Sequence, residues 1–443
     1  MSQIIFERCA GLDVHKKTVV ACRRRLTNRM EVEFETQTFG TTTEELLTMS
    51  DWLAEWDVSH VAMESTGEYW KPIFNILEGN FETWLVNAQQ VKHVPARKTD
   101  IKDAEWLAQV MQMGFLKPSF IPERPQRELR DLTRMRQTLV QERARVVNRV
   151  QKVLEDANIK LTSVVTDIMG VSARRMLEAM IAGEEDPKVL ANLAKGRLRK
   201  KLLALEKALV GRMTDHHRFL LQRHLSHIDF LDEEIQTLSQ EIAQRIEEMS
   251  APSDATPPSG QKPGQDEPDD GDQEGPLTWN QAIELLSTIP GIDRRIAEMV
   301  LAEIGLDMSR FPSARHLAAW AGLAPGNHQS GGKRNSGRTK KGNRTVRSIL
   351  TQAAWAAQRK KDSYLAALYR RLVKRRGKKR AIVAVAHSML VSIYYMLTRQ
   401  QPYQDLGPNY FDQRRKVAKV DYLLRQLQRL GYQVALQPVA QAA

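Results

Sequence analysis

The stretch from Ala251 to Pro276 is expected to stay outside any packed core, and this divides the chain. It interleaves Pro252, Pro257, Pro258, Pro263 and Pro268 with Gly260, Gly264, Gly271 and Gly275, and carries the acids Asp266, Glu267, Asp269, Asp270, Asp272 and Glu274. So little apolar area cannot offset the entropy of ordering the segment, which predicts a disordered acidic linker. Folded matter must lie on either side of it, and a chain of 443 residues has room for two or three domains.

Residues 4–120 mix two periodicities. Strand patterns fall at 8–14, 17–25, 31–39, 58–64 and 82–87, enriched in Val, Thr, Phe and Cys. Helical patterns fall at 42–56, 69–78 and 100–113. Strands first, then alternating helix and strand, predict an α/β unit with a mixed sheet and helices packed on it.

From 123 to 249 the chain reads as helical and heavily charged. Leu221, Ile228, Ile235, Ile242 and Met249 recur every seven residues, Leu231 and Leu238 add a second seam position, and Arg245 interrupts it. Sustained heptads predict a coiled coil, with the helical segment Arg124–Leu161 as a candidate partner in the same chain and a dimer seam as the other use. A single amphipathic helix packed on its own domain is the simpler alternative. The expected organisation is an α/β metal-binding domain at 1–122, a helical or coiled-coil segment at 123–250, the linker at 251–276 and a mainly helical domain at 277–443.

Net charge narrows the partners. Sixty-six Lys and Arg against 53 Asp and Glu leave a formal charge of +13, which points to a polyanion, nucleic acid first. Two cysteines make neither a disulfide framework nor a zinc site. The first residues lack the shape of a signal peptide, and no run approaches the roughly 18 apolar residues of a membrane span, so a cytoplasmic protein without a membrane partner is expected.

Four acids stand at informative places. Asp13 follows the apolar run Cys9–Leu12, Glu64 ends His60–Met63, and Asp100 and Asp103 open a helical pattern, three apart and therefore on one face. Two carboxylates at strand ends and two on one helix face can meet at a point. Converging carboxylates repel unless cations lie between them, and an all-oxygen donor set suits Mg²⁺ or Mn²⁺. Such ions serve phosphoryl transfer. Taken singly, each acid also reads as a turn or cap residue.

In the C-terminal domain, Leu286–Ile292 followed by Ala297, Val300 and Ile304-Gly305 has the pattern of a helix-hairpin-helix, whose amides can contact a phosphate backbone; a plain Pro-Gly turn is the alternative. Beyond Ala321-Gly322-Leu323-Ala324-Pro325 lies a glycine-rich basic segment. Between 331 and 380 there are eighteen Lys or Arg and one acid, Asp362. Lys333, Arg334, Arg338, Lys340, Lys341 and Arg344 are the candidate phosphate contacts. Ser330 sits in this flexible, cationic setting, where its oxygen could reach a phosphodiester if a base or metal activates it. By itself it also reads as a turn residue. No nucleotide-binding GxxxxGK[ST] loop occurs.

These residues carry a resemblance. The chain resembles the insertion-sequence 110 family of transposases, the bridge-RNA-guided recombinases, over nearly its whole length. Residues 1–122 look like that family's RuvC-like (RNase H-like) DEDD domain, with the four acids on Asp13, Glu64, Asp100 and Asp103. The segment from about 280 to 400 looks like its C-terminal transposase domain. The motif Ala321–Pro325, Gln329–Lys333 and Lys341–Arg344 there implies that Ser330 is the nucleophile, with Ser336 nearby. The acidic linker falls outside the family pattern. The resemblance further implies Mg²⁺, cleavage and rejoining of donor and target duplex DNA through a phosphoserine bond, a non-coding guide RNA encoded by the element, and a homo-oligomer, dimer or tetramer. Two other functions use the same residues. One is a junction nuclease with water as nucleophile; the other is a nucleic-acid-binding protein without chemistry.

Overall fold

A computed structural model describes residues 4–64, 67–87, 100–251, 277–326, 328–330, 333–336, 339, 341–414 and 416–433. The linker expected at 251–276 falls, apart from Ala251, outside the described residues. The chain divides into two compact units, Met1–Pro122 and Glu123–Ala443.

The first unit is built on β1 (Arg8–Val14), β2 (Thr18–Leu26), β3 (Val32–Gly40), α1 (Thr43–Ala54), β4 (His60–Glu64), α2 (Trp70–Leu77), β5 (Glu82–Val86) and α3 (Asp100–Gln112). The strands form one sheet in the order β3-β2-β1-β4-β5. β1 and β3 pair antiparallel with β2, whereas β1–β4 and β4–β5 are parallel, so β2 alone runs against the rest. This is the RNase H-like mixed sheet that the resemblance implies.

Side chains alternate across the sheet with period two. Ala10, Leu12 and Val14 share one core with Val61 and Met63 and with Leu46, Met49, Leu53, Ile73, Phe74 and Leu77 from α1 and α2. The alternate positions Cys9 and Ala62 face Leu107, Val110 and Met111 of α3. The strand and helix limits follow the sequence pattern within two residues.

The second unit opens with α4 (Arg124–Asp156), continues through α5 (Val171–Ile181), α6 (Pro187–Asn192) and α7 (Leu202–Leu209), and returns along α8 (Asp215–Ser250). The heptad face of α8 is buried at Leu221, Ile228, Leu231, Ile235, Leu238 and Ile242, together with Leu225 and Ile246, while Met249 is half-buried. Val146, Val150, Val153 and Leu154 of α4 join the core that Leu221, Leu225, Ile228 and Leu231 of α8 build. Asp156 meets His217 at 2.9 Å, Arg143 meets Asp232 at 2.5 Å and Glu128 meets Arg245 at 3.7 Å, so the two helices run antiparallel. The seam is therefore filled by the candidate partner in the same chain, the segment Arg124–Leu161, rather than left for a dimer contact, because α4 supplies the matching apolar positions. Arg245, which interrupts the heptads, points outward and pairs with Glu241 at 3.0 Å.

Beyond the linker come α9 (Trp279–Ser287), α10 (Arg294–Ile304), α11 (Ala314–Trp320), β6 (His328–Ser330), β7 (Lys333–Ser336), α12 (Arg344–Ala357), α13 (Tyr364–Arg376), α14 (Lys378–Arg399), α15 (Tyr410–Arg414) and α16 (Lys416–Arg429). α10 is locked to α4 by charge: Arg136 donates to Glu298 at 2.8 Å, both side chains about 5% exposed or less. Such a buried pair holds only if both partners are present, and it helps explain why 123–250 and the C-terminal helices form one compact unit.

α9 and α10 flank the Pro290-Gly291 turn. Gly291 has φ +87°, and a Cβ there would lie 2.4 Å from the carbonyl oxygen of Ala353 in α12, so this glycine is demanded by packing. One described helix, α14, is long and apolar enough to cross a membrane, contrary to what the run of apolar residues led one to expect. Half of its apolar window is buried, and Ile382, Val385, Met389, Leu390 and Ile393 are core residues.

Candidate functional site

The acids are arranged by the way α3 lies on the sheet. Ile5 N–H donates to the carbonyl of Gln112 at 2.9 Å, the Cys9 thiol to that of Ala108 at 3.5 Å, and Gly11 touches Ala108 and Ala104. Position along β1 rises as position along α3 falls. The N-terminus of α3, with Asp100 and Asp103, therefore lies toward the carboxyl end of β1, where Asp13 is.

Strand parity places the other two. Asp13 shares the face of Cys9 and Gly11, and Glu64 shares the face of Ala62; these are the residues that pack under α3. Leu12 is level with Met63 in the parallel β1–β4 pair, so Asp13 and Glu64 follow at the carboxyl ends of adjacent strands. Ligands of open α/β sheets bind at such ends. On the helix, Asp100 precedes Ala104 by one turn, and Ala104 and Ala108 pack with Val20 and Cys22 of β2. Asp103 precedes Leu107 by one turn, and Leu107 packs with Ala62 and Val86 of β4 and β5. The helix start thus stands toward the strand ends that carry Asp13 and Glu64. Its macrodipole favours negative charge there.

Asp13 is 15% exposed, and its Oδ2 lies 3.1 Å from Nε2 of His15. Glu64 and Asp103 are half-buried, and the side chain of Asp100 lies outside the described residues. Among the described residues no three Asp, Glu, His or Cys side chains stand together as a cation site. The donor chemistry, carboxylates from two strand ends and a helix N-terminus, fits a hard divalent cation.

His15 was missed in the sequence. Its signal was its place two residues after Asp13, just past the strand end, where its amide donates to Thr18 at 2.9 Å and turns the chain into β2. Cys9 and Cys22 are buried on the α3 side, and burial pushes the Cys9 thiol up to about 12 and raises that of Cys22 as well, so neither is a thiolate at neutral pH.

Ser330 is the last residue of β6, paired with Lys333 of β7, so the basic glycine-rich segment holds a short β-hairpin where a flexible loop was expected. Lys333 and Arg334 are on β7. The side chains of Ser330, Lys333, Arg334, Arg338 and Lys340 lie outside the described residues. Lys341 and Arg344 are exposed just after the hairpin. Arg344 and Arg347 occupy the first turn of α12, which holds no acid. Cations there oppose the helix dipole, so they do not serve the helix.

Asn343, part of the Lys341–Arg344 motif but given no role there, caps α12 by accepting from Val346 N–H at 2.9 Å. It donates to Glu303 at 2.7 Å.

Comparison with known proteins finds two family models along the chain. A DEDD transposase model of the IS110 type matches residues 10–159, and the model of the transposase IS116/IS110/IS902 family matches residues 283–370. The transposase for insertion sequence element IS1111A of Coxiella burnetii is 26% identical over 369 residues, 80% of this chain and 81% of that one. A probable family 20 transposase of Pseudomonas aeruginosa is 23% identical over 401 residues, 89% of this chain and 94% of that one. The pilin gene-inverting protein of Moraxella bovis is 33% identical over 127 residues, 28% of this chain and 39% of its own. Among solved structures, T. thermophilus RuvC in complex with a Holliday junction substrate aligns with 25% of this chain and 99% of its own, at a TM-score of 0.20 and 14% identity. Matched on both sides of the linker by models of one family, the chain belongs to the IS110 family of transposases.

Proposed function

We propose that this transposase is a site-specific recombinase that cleaves and rejoins DNA strands through a phosphoserine intermediate. The observation that carries the reading is that Asp13 and Glu64 stand at the carboxyl ends of adjacent parallel strands and the helix bearing Asp100 and Asp103 starts toward that same end, in a chain whose other unit carries Ser330 on a hairpin in a basic segment.

In this reading Asp13, Glu64, Asp100 and Asp103 would hold Mg²⁺ or Mn²⁺, which would supply positive charge for phosphoryl transfer. Lys333, Arg334, Arg338, Lys340, Lys341 and Arg344 bind and orient backbone phosphates. His15, hydrogen-bonded to Asp13 at 3.1 Å, holds that carboxylate in one orientation. The Ser330 oxygen gives up its proton and bonds to phosphorus, while the phosphorus–oxygen bond to the sugar breaks and the departing hydroxyl takes a proton. A hydroxyl from a second strand reverses the step, returns the proton to Ser330 and leaves a new phosphodiester. Bond energy is conserved, so no ATP is needed. The partners are donor and target duplex DNA, a guide RNA encoded by the element, and further copies of the chain.

The deciding experiment is a denaturing gel. Wild-type protein incubated with substrate DNA, the RNA encoded by the element and Mg²⁺ should give a covalent protein–DNA adduct, and Ser330→Ala should bind DNA and give none. Loss of the adduct only in Ser336→Ala would move the nucleophile to that residue. Cleavage with no adduct in any form would favour the junction nuclease, with water as nucleophile.

A further inference from the structure

Glu303, on α10, has no exposed surface. Arg134 grips both its oxygens, Nε to Oε1 at 2.6 Å and the second nitrogen to Oε2 at 3.0 Å. Arg130 stands 3.3 Å from Oε2 and donates to the Glu303 carbonyl at 2.7 Å. Two guanidinium groups already neutralise this buried carboxylate. Yet a third donor, Asn343 Nδ2, is drawn to Oε2 at 2.7 Å. What that hydrogen bond adds is a fixed place for Asn343.

Asn343 has little freedom left. Its Oδ1 caps α12 through Val346 N–H, and its own N–H donates to the Trp320 carbonyl at 2.9 Å. The residue before it, Gly342, lies so close to Gly322 that a Cβ would be 2.3 Å from the Gly322 nitrogen. The chain that leaves α11 at Gly322 and re-enters α12 at Asn343 is thus closed at its base, backbone against backbone. Between those points lie β6 and β7 with Ser330. Strands of three and four residues do not orient themselves. Their direction is set where they are tied down.

We infer that Glu303 is a positioning residue that, through Asn343, fixes the base of the Ser330 hairpin on the frame of α4 and α10. The inference rests on the serine reading above. A nucleophile displaced by about 1 Å can lose roughly 100-fold in rate, so a small shift at the base should show in chemistry before it shows in binding.

The test uses Asn343→Asp, which keeps a capping oxygen but sets a carboxylate against that of Glu303. The double variant Asn343→Asp/Glu303→Gln returns one carboxylate and one amide to the pair. Full-length proteins are assayed on a plasmid carrying the element and its flanks for strand cleavage, adduct formation, DNA affinity and Tm. Asn343→Asp should cleave roughly 10- to 100-fold more slowly with affinity unchanged within about twofold, and the double variant should recover most of that loss. Wild-type cleavage by Asn343→Asp overturns the inference. So does an unfolded Asn343→Asp, which would make the hydrogen bond one of stability alone, and so does a folded double variant as slow as the single. Ser330→Ala runs alongside: an adduct that persists there refutes the serine reading, and the split between cleavage and affinity at Asn343 is still read separately.

Discussion

A Cβ on Gly11 would lie 2.5 Å from the carbonyl oxygen of Ala104. The approach is strand backbone against helix backbone, and it sets how far the start of α3 stands from the end of β1. Gly11→Ala should force the two apart. Overpacking of this kind costs about 1–3 kcal/mol or more, and the acids would separate with it. Cleavage should fall by more than stability alone explains, measured at a temperature where circular dichroism shows the variant folded. Full cleavage by a folded Gly11→Ala would show that the helix position is not critical.

The carboxylates should act as a set. Asp13→Ala, Glu64→Ala, Asp100→Ala and Asp103→Ala should each abolish strand cleavage while leaving binding of a DNA duplex within about threefold, since neutralising an acid takes no cation away from a phosphate. Excess EDTA should do the same to the wild type, with Mn²⁺ restoring activity. Cleavage that persists in EDTA would defeat the metal reading for all four at once.

The sheet was legible because alternation and turn residues act locally. Each of the five strands lies within two residues of its pattern, and the acids at strand ends could be picked out because the apolar run stops there. What could not be read is pairing at a distance. Nothing local says that Glu303 meets Arg134 or that Gly342 presses on Gly322. The heptads of α8 announced a partner without saying whose. Only the antiparallel return of α4 shows that Leu221 and Ile228 are covered from the same chain. The Ser330 hairpin was hidden for another reason: strands this short, among glycines and cations, carry no periodic signal.

That seam makes its own prediction. Ile228 is 1% exposed between α8 and α4. Ile228→Ala should destabilise the protein by about 2–5 kcal/mol, the usual range for a buried truncation, and lower Tm without changing the mass in solution at a given concentration. A variant that instead keeps its Tm and falls apart into smaller species in light scattering would return the heptads to a dimer interface.

Salt dependence separates phosphate binding from base reading. Lys341 and Arg344 are exposed beside the hairpin. Lys341→Gln or Arg344→Gln should weaken DNA binding across unrelated sequences and reduce the slope of log K against log salt by about one for each phosphate left without its cation. An effect confined to one base position would mean that the side chain reads sequence.

The acids and the serine belong to different compact units, with Asp13 in residues 1–122 and Ser330 in residues 123–443. A site assembled from two copies of the chain would make cutting conditional on assembly and so guard the host DNA against stray breaks. Mixing inactive Asp13→Ala with inactive Ser330→Ala tests this. In a shared arrangement, a mixed dimer contains one site whose acids come from the Ser330→Ala copy and whose serine comes from the Asp13→Ala copy, so part of the activity should return. If each copy uses its own serine, every site in the mixture lacks one component. A mixture that stays inactive while mixed oligomers are shown to form by differential tagging would establish that the site is built within one chain.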